Sequence, residues 1–328
     1  MPSSPRRRRA AISFILVVAL LDVIAMGIVI PILPALIEEF TGSVSKAGWV
    51  NGIFLALWAI MQFIFSPIVG SLSDRFGRRP ILLLSSAGLG AAYVLMALAP
   101  SLGWLALARI VSGITASSIG ATLSYMADIT PPPERSRAYG WVGAAFAAGF
   151  VLGPVLGGLL GEVSPRLPFW AAAGLSFTVF AYGLFILPES LDPSRRMAFS
   201  WRRANPLGAL RLLGSHPDLV RLSLIYFFIY FAHHVFTSVF VLYAGHRYGW
   251  GTRDVGLLLA FAGLLDAFMQ GVVVGRVVPR LGERRTMVLG LAGGTVGLAL
   301  MGLAPTGPWF ILAQFPSSLW ELSMPTLH

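Results

Sequence analysis

The 328-residue chain has no cysteine and little charge: only 12% of its residues are Asp, Glu, Lys or Arg, about half of what a water-soluble domain carries. Without cysteine there is no disulfide framework, no thiol nucleophile and no thiolate-held zinc or iron–sulfur centre. So few charges cannot clothe a solvated surface, which argues against a soluble globular protein. Acids are scarcer than bases, 14 against 24, for a net charge of +10. Absent too are a Walker phosphate loop, a His-Glu-x-x-His helix and a Gly-x-Ser-x-Gly elbow, so no enzyme chemistry, cofactor or metal is expected. What the chain has in quantity is apolar residues, 56% of the total, with 36 glycines and 22 prolines spread along its length. That mixture suits helices packed in lipid, where small residues allow backbones to approach and kinks are tolerated.

A membrane-crossing helix needs about 20 apolar residues. Such runs occupy residues 11–36, 48–70, 81–99, 103–128, 138–161 and 168–187, then 219–243, 254–278, 286–304 and 308 onward. With the N-terminus placed in the cytoplasm, 19 of the 24 basic residues fall in loops on that side. This satisfies the positive-inside rule, so the basic excess is topology and not a nucleic-acid surface. Arg6–Arg9 resembles the start of a signal peptide, but the run behind it is too long and lacks a cleavage pattern, so it reads as an uncleaved first span. A multi-pass protein of the cell (inner) membrane is expected, with the lipid bilayer as its partner. The polar stretch 188–218 carries Arg195, Arg196, Arg202, Arg203 and Arg211 and reads as a linker on anionic lipid. Within it, Asn205 and Pro206 offer the N-cap and first residue of a short helix. The chain therefore divides into an N-terminal half of six helices (1–187), a basic cytoplasmic linker (188–218) and a second half of about four helices (219–328).

Gly70, Arg75, Gly77 and Arg79 recur as Gly275, Arg280, Gly282 and Arg284, each 205 residues on, between the second and third spans of each half. Such an internal duplication belongs to secondary transporters, whose substrate path lies between the halves. The stretch Gly70-Ser-Leu-Ser-Asp74-Arg75-Phe-Gly77-Arg78-Arg79 resembles the loop signature of the major facilitator superfamily. Arg109 with Leu105 and Gly113 is similar to the fourth-helix signature of that family. Gly149-x-x-x-Gly153-Pro154-x-x-Gly157-Gly158 resembles the fifth-helix signature of its drug:proton antiporters, and Asp22, Gly27, Pro31, Leu33 and Pro34 resemble its tetracycline-efflux branch. The resemblance implies an all-α, multi-pass transmembrane bundle of two pseudo-repeated halves, the second incomplete because the chain ends inside the tenth span. It also implies proton-coupled export of a small-molecule substrate. Tetracycline exporters carry acids in the third and ninth helices and a histidine in the eighth; Ala92, Gly294 and Asp266 stand there in this chain. A substrate other than metal-chelated tetracycline is therefore expected. A metabolite transporter of the same fold and a truncated, non-transporting membrane protein are the alternatives.

Individual residues sharpen the expectation. Asp22 sits about 15 Å into the first span, near the midplane, where an acid faces a cavity or a partner and exchanges protons as access alternates. Arg109, within the fourth span, stays charged and acts on such an acid electrostatically. Asp266 is the corresponding acid of the eighth span. Arg78 is expected to pair with Asp128, and Asp74 to cap a helix of the other half, forming a latch over the inner face with Gly70 and Gly77 permitting a tight turn. Gly149, Gly153 and Gly157 share a helical face beside Pro154, favouring a close, bendable contact. Gln62, His233 and His234 are candidate cavity polar groups, the adjacent histidines pointing too far apart to share a metal, while Asn51 reads as a helix–helix hydrogen bond. Glu321 is deep in the last span.

Overall fold

The computed structural model describes residues 5–116, 119–201, 204–208, 214 and 217–326, and every regular element among them is helical. The α-helices are α1 (Pro5–Val29), α2 (Leu33–Thr41), α3 (Val44–Phe76), α4 (Arg78–Leu98), α5 (Leu102–Thr115), α6 (Ile119–Ile129), α7 (Arg135–Val163) and α8 (Leu167–Ile186). After the linker come α9 (Pro217–Tyr248), α10 (Thr252–Phe268), α11 (Gly275–Leu281), α12 (Glu283–Leu303) and α13 (Gly307–Ser318), with a 3-10 segment from Leu319 to Thr326. Among the described residues eight helical runs are long and apolar enough to cross a membrane. Their outward surface is apolar, with Phe185 84% and Leu303 77% exposed, as lipid contact requires and water contact does not.

Several spans are not the unbroken helices that the apolar runs suggest. The first breaks at Ile30–Ile32, because Pro31 has no N–H to donate and its ring crowds the carbonyl of residue 27. Pro34 then occupies the first turn of α2, where a missing donor costs nothing. The eighth passes from α10 through a π-helical turn, Met269–Val274, into α11. Conversely, the expected loop between the second and third spans hardly exists. Gly70 lies inside α3 in ordinary helical geometry, so the turn rests on Gly77 alone, at φ 108° and ψ 162°. Its repeat partner Gly282 has nearly the same backbone, φ 79° and ψ 158°, a conformation that a Cβ resists. In the linker, Asn205 Oδ1 accepts from the Leu207 N–H at 2.9 Å and residues 206–208 are helical; Arg202, Arg203 and Arg211 lie outside the described residues.

The helices pack around three apolar clusters. One gathers Ile28, Leu36, Met96, Leu105, Ala108 and Phe169. A second, toward the Gly77 end of the bundle, holds Phe14, Ile15, Tyr125, Met126 and Leu187. The third joins Phe240, Val255, Met301 and Phe310 within the later helices, with the Phe240 and Phe310 rings stacked 5.6 Å apart. Helix α7 lies between α1 and α10 and carries the contact between the earlier and later helices. Two further ties cross near the Gly42 end: Asn51 Nδ2 donates to the Ser238 carbonyl at 2.7 Å, and Thr252 Oγ1 to the Gly158 carbonyl at 3.2 Å.

Candidate functional site

Helices α1, α3, α4 and α5 link four side chains in a chain of contacts inside the bundle, Asp22 to Tyr93, Tyr93 to Arg109 and Arg109 to Trp58. Asp22 of α1 has a carboxylate oxygen, Oδ1, buried without a hydrogen-bond partner, and Arg109 of α5 has Nε in the same condition. Tyr93 of α4, 4% exposed, stands within electrostatic reach of both. The Arg109 guanidinium lies 5.5 Å from the centre of the Trp58 ring, a cation–π contact that holds the charge without neutralising it. Acid and base are thus linked through Tyr93 and are not joined in an ion pair. Tyr93 and Trp58 were not singled out from the sequence, because aromatic residues in apolar helices carry no local sign of which face they occupy.

The glycines of α7 form a seam. A Cβ at Gly153 would lie 2.7 Å from the Gly27 Cα and 2.8 Å from the Ile24 carbonyl oxygen of α1; one at Gly149 would lie 2.7 Å from the Val23 Cβ. Gly157 abuts the Ile28 backbone in the same way. Gly158 faces the other side, where a Cβ would come within 2.6 Å of the Thr252 carbonyl of α10, and Gly256 of α10 closes on the Pro154 carbonyl. One helix thereby seats the segment that carries Asp22 and also fixes the later helices. Further toward the Gly77 end, Gly140 and Gly143 have open space at their Cβ positions. Contact between the two sets of helices is tight at one end of α7 and loosens at the other.

At the Gly77 turn, Arg78 gathers the acids. Its Nη1 lies 2.6 Å from Asp74 Oδ1 and donates to Ser73 Oγ at 3.2 Å, while Nε lies 3.3 Å from Asp128 Oδ2. The Arg78–Asp128 partnership has the expected geometry. Asp74, expected at a helix end in the other half, is bound to Arg78 instead, one helical turn away across Gly77. Arg79 Nη2 donates to the Leu184 carbonyl at 2.6 Å, and the Arg75 guanidinium lies over Phe76. Glu189 and Ser190, which follow α8 and close this cluster from the linker, carry no local sign of that role in the sequence.

A second polar group lies among the later helices. Asp266 of α10 is in electrostatic reach of Glu321, which is 5% exposed and accepts from Gln270 Nε2 at 2.5 Å. Gln270 is one turn beyond Asp266, inside the π-helical segment, a type of irregularity frequent at functional sites. Tyr230 and His234 of α9 approach the same region, with the Tyr230 ring centre 6.3 Å from that of Trp320. Gln62 lies 3.5 Å from the Ala116 carbonyl, and the side chain of His233 lies outside the described residues.

Membrane-spanning helices, a buried acid and base left unjoined, and a glycine-lined seam between two sets of helices define a multi-pass membrane transporter and not an enzyme. The chain belongs to the Major Facilitator Superfamily, whose model matches residues 15–326. It is 38% identical over 304 residues to the class G tetracycline resistance protein of Vibrio anguillarum, covering 93% of this chain and 76% of that one. It is 37% identical over 297 residues to the class C protein of Escherichia coli, covering 90% and 74%. Among solved structures, a bacterial homolog of the human lysosomal transporter Spinster, inward-facing and occupied, superposes with a TM-score of 0.76 at 18% identity, covering 99% of this chain and 75% of that one. That likeness speaks for the fold.

Proposed function

We propose that this protein exports small amphipathic compounds in exchange for protons, by alternating access between residues 1–187 and 219–328, with its N-terminus and linker in the cytoplasm. The observation that carries the reading is the Asp22–Tyr93–Arg109 cluster: two buried groups of opposite sign in electrostatic reach of one tyrosine, with Asp22 Oδ1 and Arg109 Nε left without a hydrogen-bond partner. A bare carboxylate in a membrane interior is costly, so Asp22 is at low energy only with a proton or a cationic group beside it. Exchange of one for the other is antiport. The unneutralised Arg109 makes proton release depend on how near the moving helices bring it. The resemblance to tetracycline resistance proteins supports drug export, and the packing of α7 against α10 near the Gly42 end supports a state open toward the cytoplasm.

The test is uptake into everted membrane vesicles under an imposed proton gradient, with tetracycline and a panel of lipophilic cations as probes. Uptake that collapses on adding a protonophore is expected for at least one probe. Uptake indifferent to the gradient, or none with inserted and monodisperse protein, would overturn the reading.

Arg78 offers a second check on gating. Lysine keeps the charge but cannot reach Asp74, Asp128 and Ser73 at once, as the guanidinium fork does. Arg78→Lys and Arg78→Ala are both expected to slow export roughly tenfold, equivalent to about 1.4 kcal/mol, with membrane insertion unchanged. Full activity in Arg78→Lys would show that charge alone suffices there.

A further inference from the structure

Helix α4 begins without a cap of its own. Its N-cap residue is Gly77, which has no side chain, and φ 108° turns the preceding chain away from the first helical amides. Those donors need an acceptor from elsewhere. Glu189 supplies it across 111 residues: Oε1 accepts from the Arg78 N–H at 2.8 Å and Oε2 from the Arg79 N–H at 3.3 Å. The carboxylate sits so close over the turn that a Cβ at Gly77 would collide with it. Glu189 is itself oriented, since Oε1 also accepts from the Leu191 N–H at 3.0 Å.

The neighbouring contacts close a ring. Ser190 Oγ donates to Asp128 Oδ2 at 3.2 Å, the same oxygen that takes Arg78 Nε at 3.3 Å. The ring therefore runs from the Arg78 backbone to Glu189, through Ser190 to Asp128, and back to the Arg78 side chain. It is stitched on either flank, by Tyr125 Oη donating to the Pro188 carbonyl at 3.0 Å and the Met197 N–H donating to the Asp74 carbonyl at 3.1 Å. Asp192 stiffens the stretch between by accepting from the Ser194 N–H at 2.9 Å.

We propose that Glu189 is a positioning residue of the cytoplasmic gate, a cap supplied by the linker that fixes α4 and the Asp74–Arg78–Asp128 cluster to residues 188–197 as one moving part. This rests on the transporter reading for the word gate, but the clasp itself can be tested without any substrate. A carboxylate suits the place because helix N-termini favour negative charge; glutamine offers one acceptor oxygen where two are used.

The absence of native cysteine allows a clean reporter. Ser73, fully buried beside the clasp, is replaced by Cys, and its maleimide labelling is followed in membranes together with hydrogen exchange of the first turn of α4. In Glu189→Ala, labelling and exchange of that turn are expected to rise about tenfold or more, with the first turn of α12 unchanged. Glu189→Asp, which keeps the charged acceptor, should stay within about threefold of the parent, and Glu189→Gln should fall between. Unchanged rates in Glu189→Ala would overturn the proposal. So would equal losses in Ala and Asp variants, or faster exchange throughout the bundle, since those mark general destabilisation in place of a cap.

Discussion

Replacing Asp22 by Asn is expected to abolish proton-driven export, a loss of about 100-fold or more if proton transfer through this side chain is required, while leaving the folded protein in the membrane. The two halves of that expectation come from the same observation. Asn has almost the same shape as Asp, and the buried Asp22 Oδ1 makes no hydrogen bond, so the substitution breaks none and strands no partner there. Stability should therefore be unaffected. What is removed is the ability to alternate between a proton and a cationic group, which no amide possesses. Gradient-driven uptake in everted vesicles measures the first effect, and thermal unfolding in detergent the second. Uptake within twofold of the parent would remove Asp22 from the coupling mechanism. A large fall in melting temperature would show that the carboxylate has a structural role beyond what its contacts reveal.

Gly153→Val is expected to be as damaging to transport, for a different reason. The atoms that a side chain would meet are the Gly27 Cα and the Ile24 carbonyl of α1, which are backbone and cannot rotate aside. Helix α1 must move off α7 and carry Asp22 with it. Overpacking of this kind costs about 1–3 kcal/mol in well-packed interiors, which corresponds to a fall of roughly 2–5 °C in melting temperature for a chain of this size. Gly143→Ala, on the same helix where the space is open, is the control. It should be neutral or slightly stabilising by about 0.5–1 kcal/mol. Equal melting temperatures for Gly153→Val and the parent would mean that the seam is looser than the structure describes.

Much of the fold was legible because lipid imposes a length and an apolar composition on any helix that crosses it. The Gly77 turn was legible for a local reason: a glycine between two arginines, repeated at Gly282, marks a backbone conformation that other residues avoid. The pairing of Arg78 with Asp128 could be anticipated from their shared side of the membrane. The partner of Asp74 could not, since a residue one turn from Arg78 across a break can point to either neighbour. Glu189 was missed because a helix normally finds its cap within a few residues, whereas this one finds it past the end of α8. Gln270 was within reach of the sequence, lying four residues after Asp266 on the same helix; its hydrogen bond to Glu321 was not.

The sequence by itself determined that the chain is an all-helical membrane protein of a duplicated transporter family and which acids and bases fall inside its apolar runs. These follow from hydropathy, spacing and motif, which are local quantities. Only the tertiary structure decided that Tyr93 stands in reach of both Asp22 and Arg109, that the α7 glycines serve both α1 and α10, and that the linker caps α4. Each of these depends on which faces of distant helices turn toward one another, and in helices apolar on almost every side the face is chosen by close packing and not by polarity.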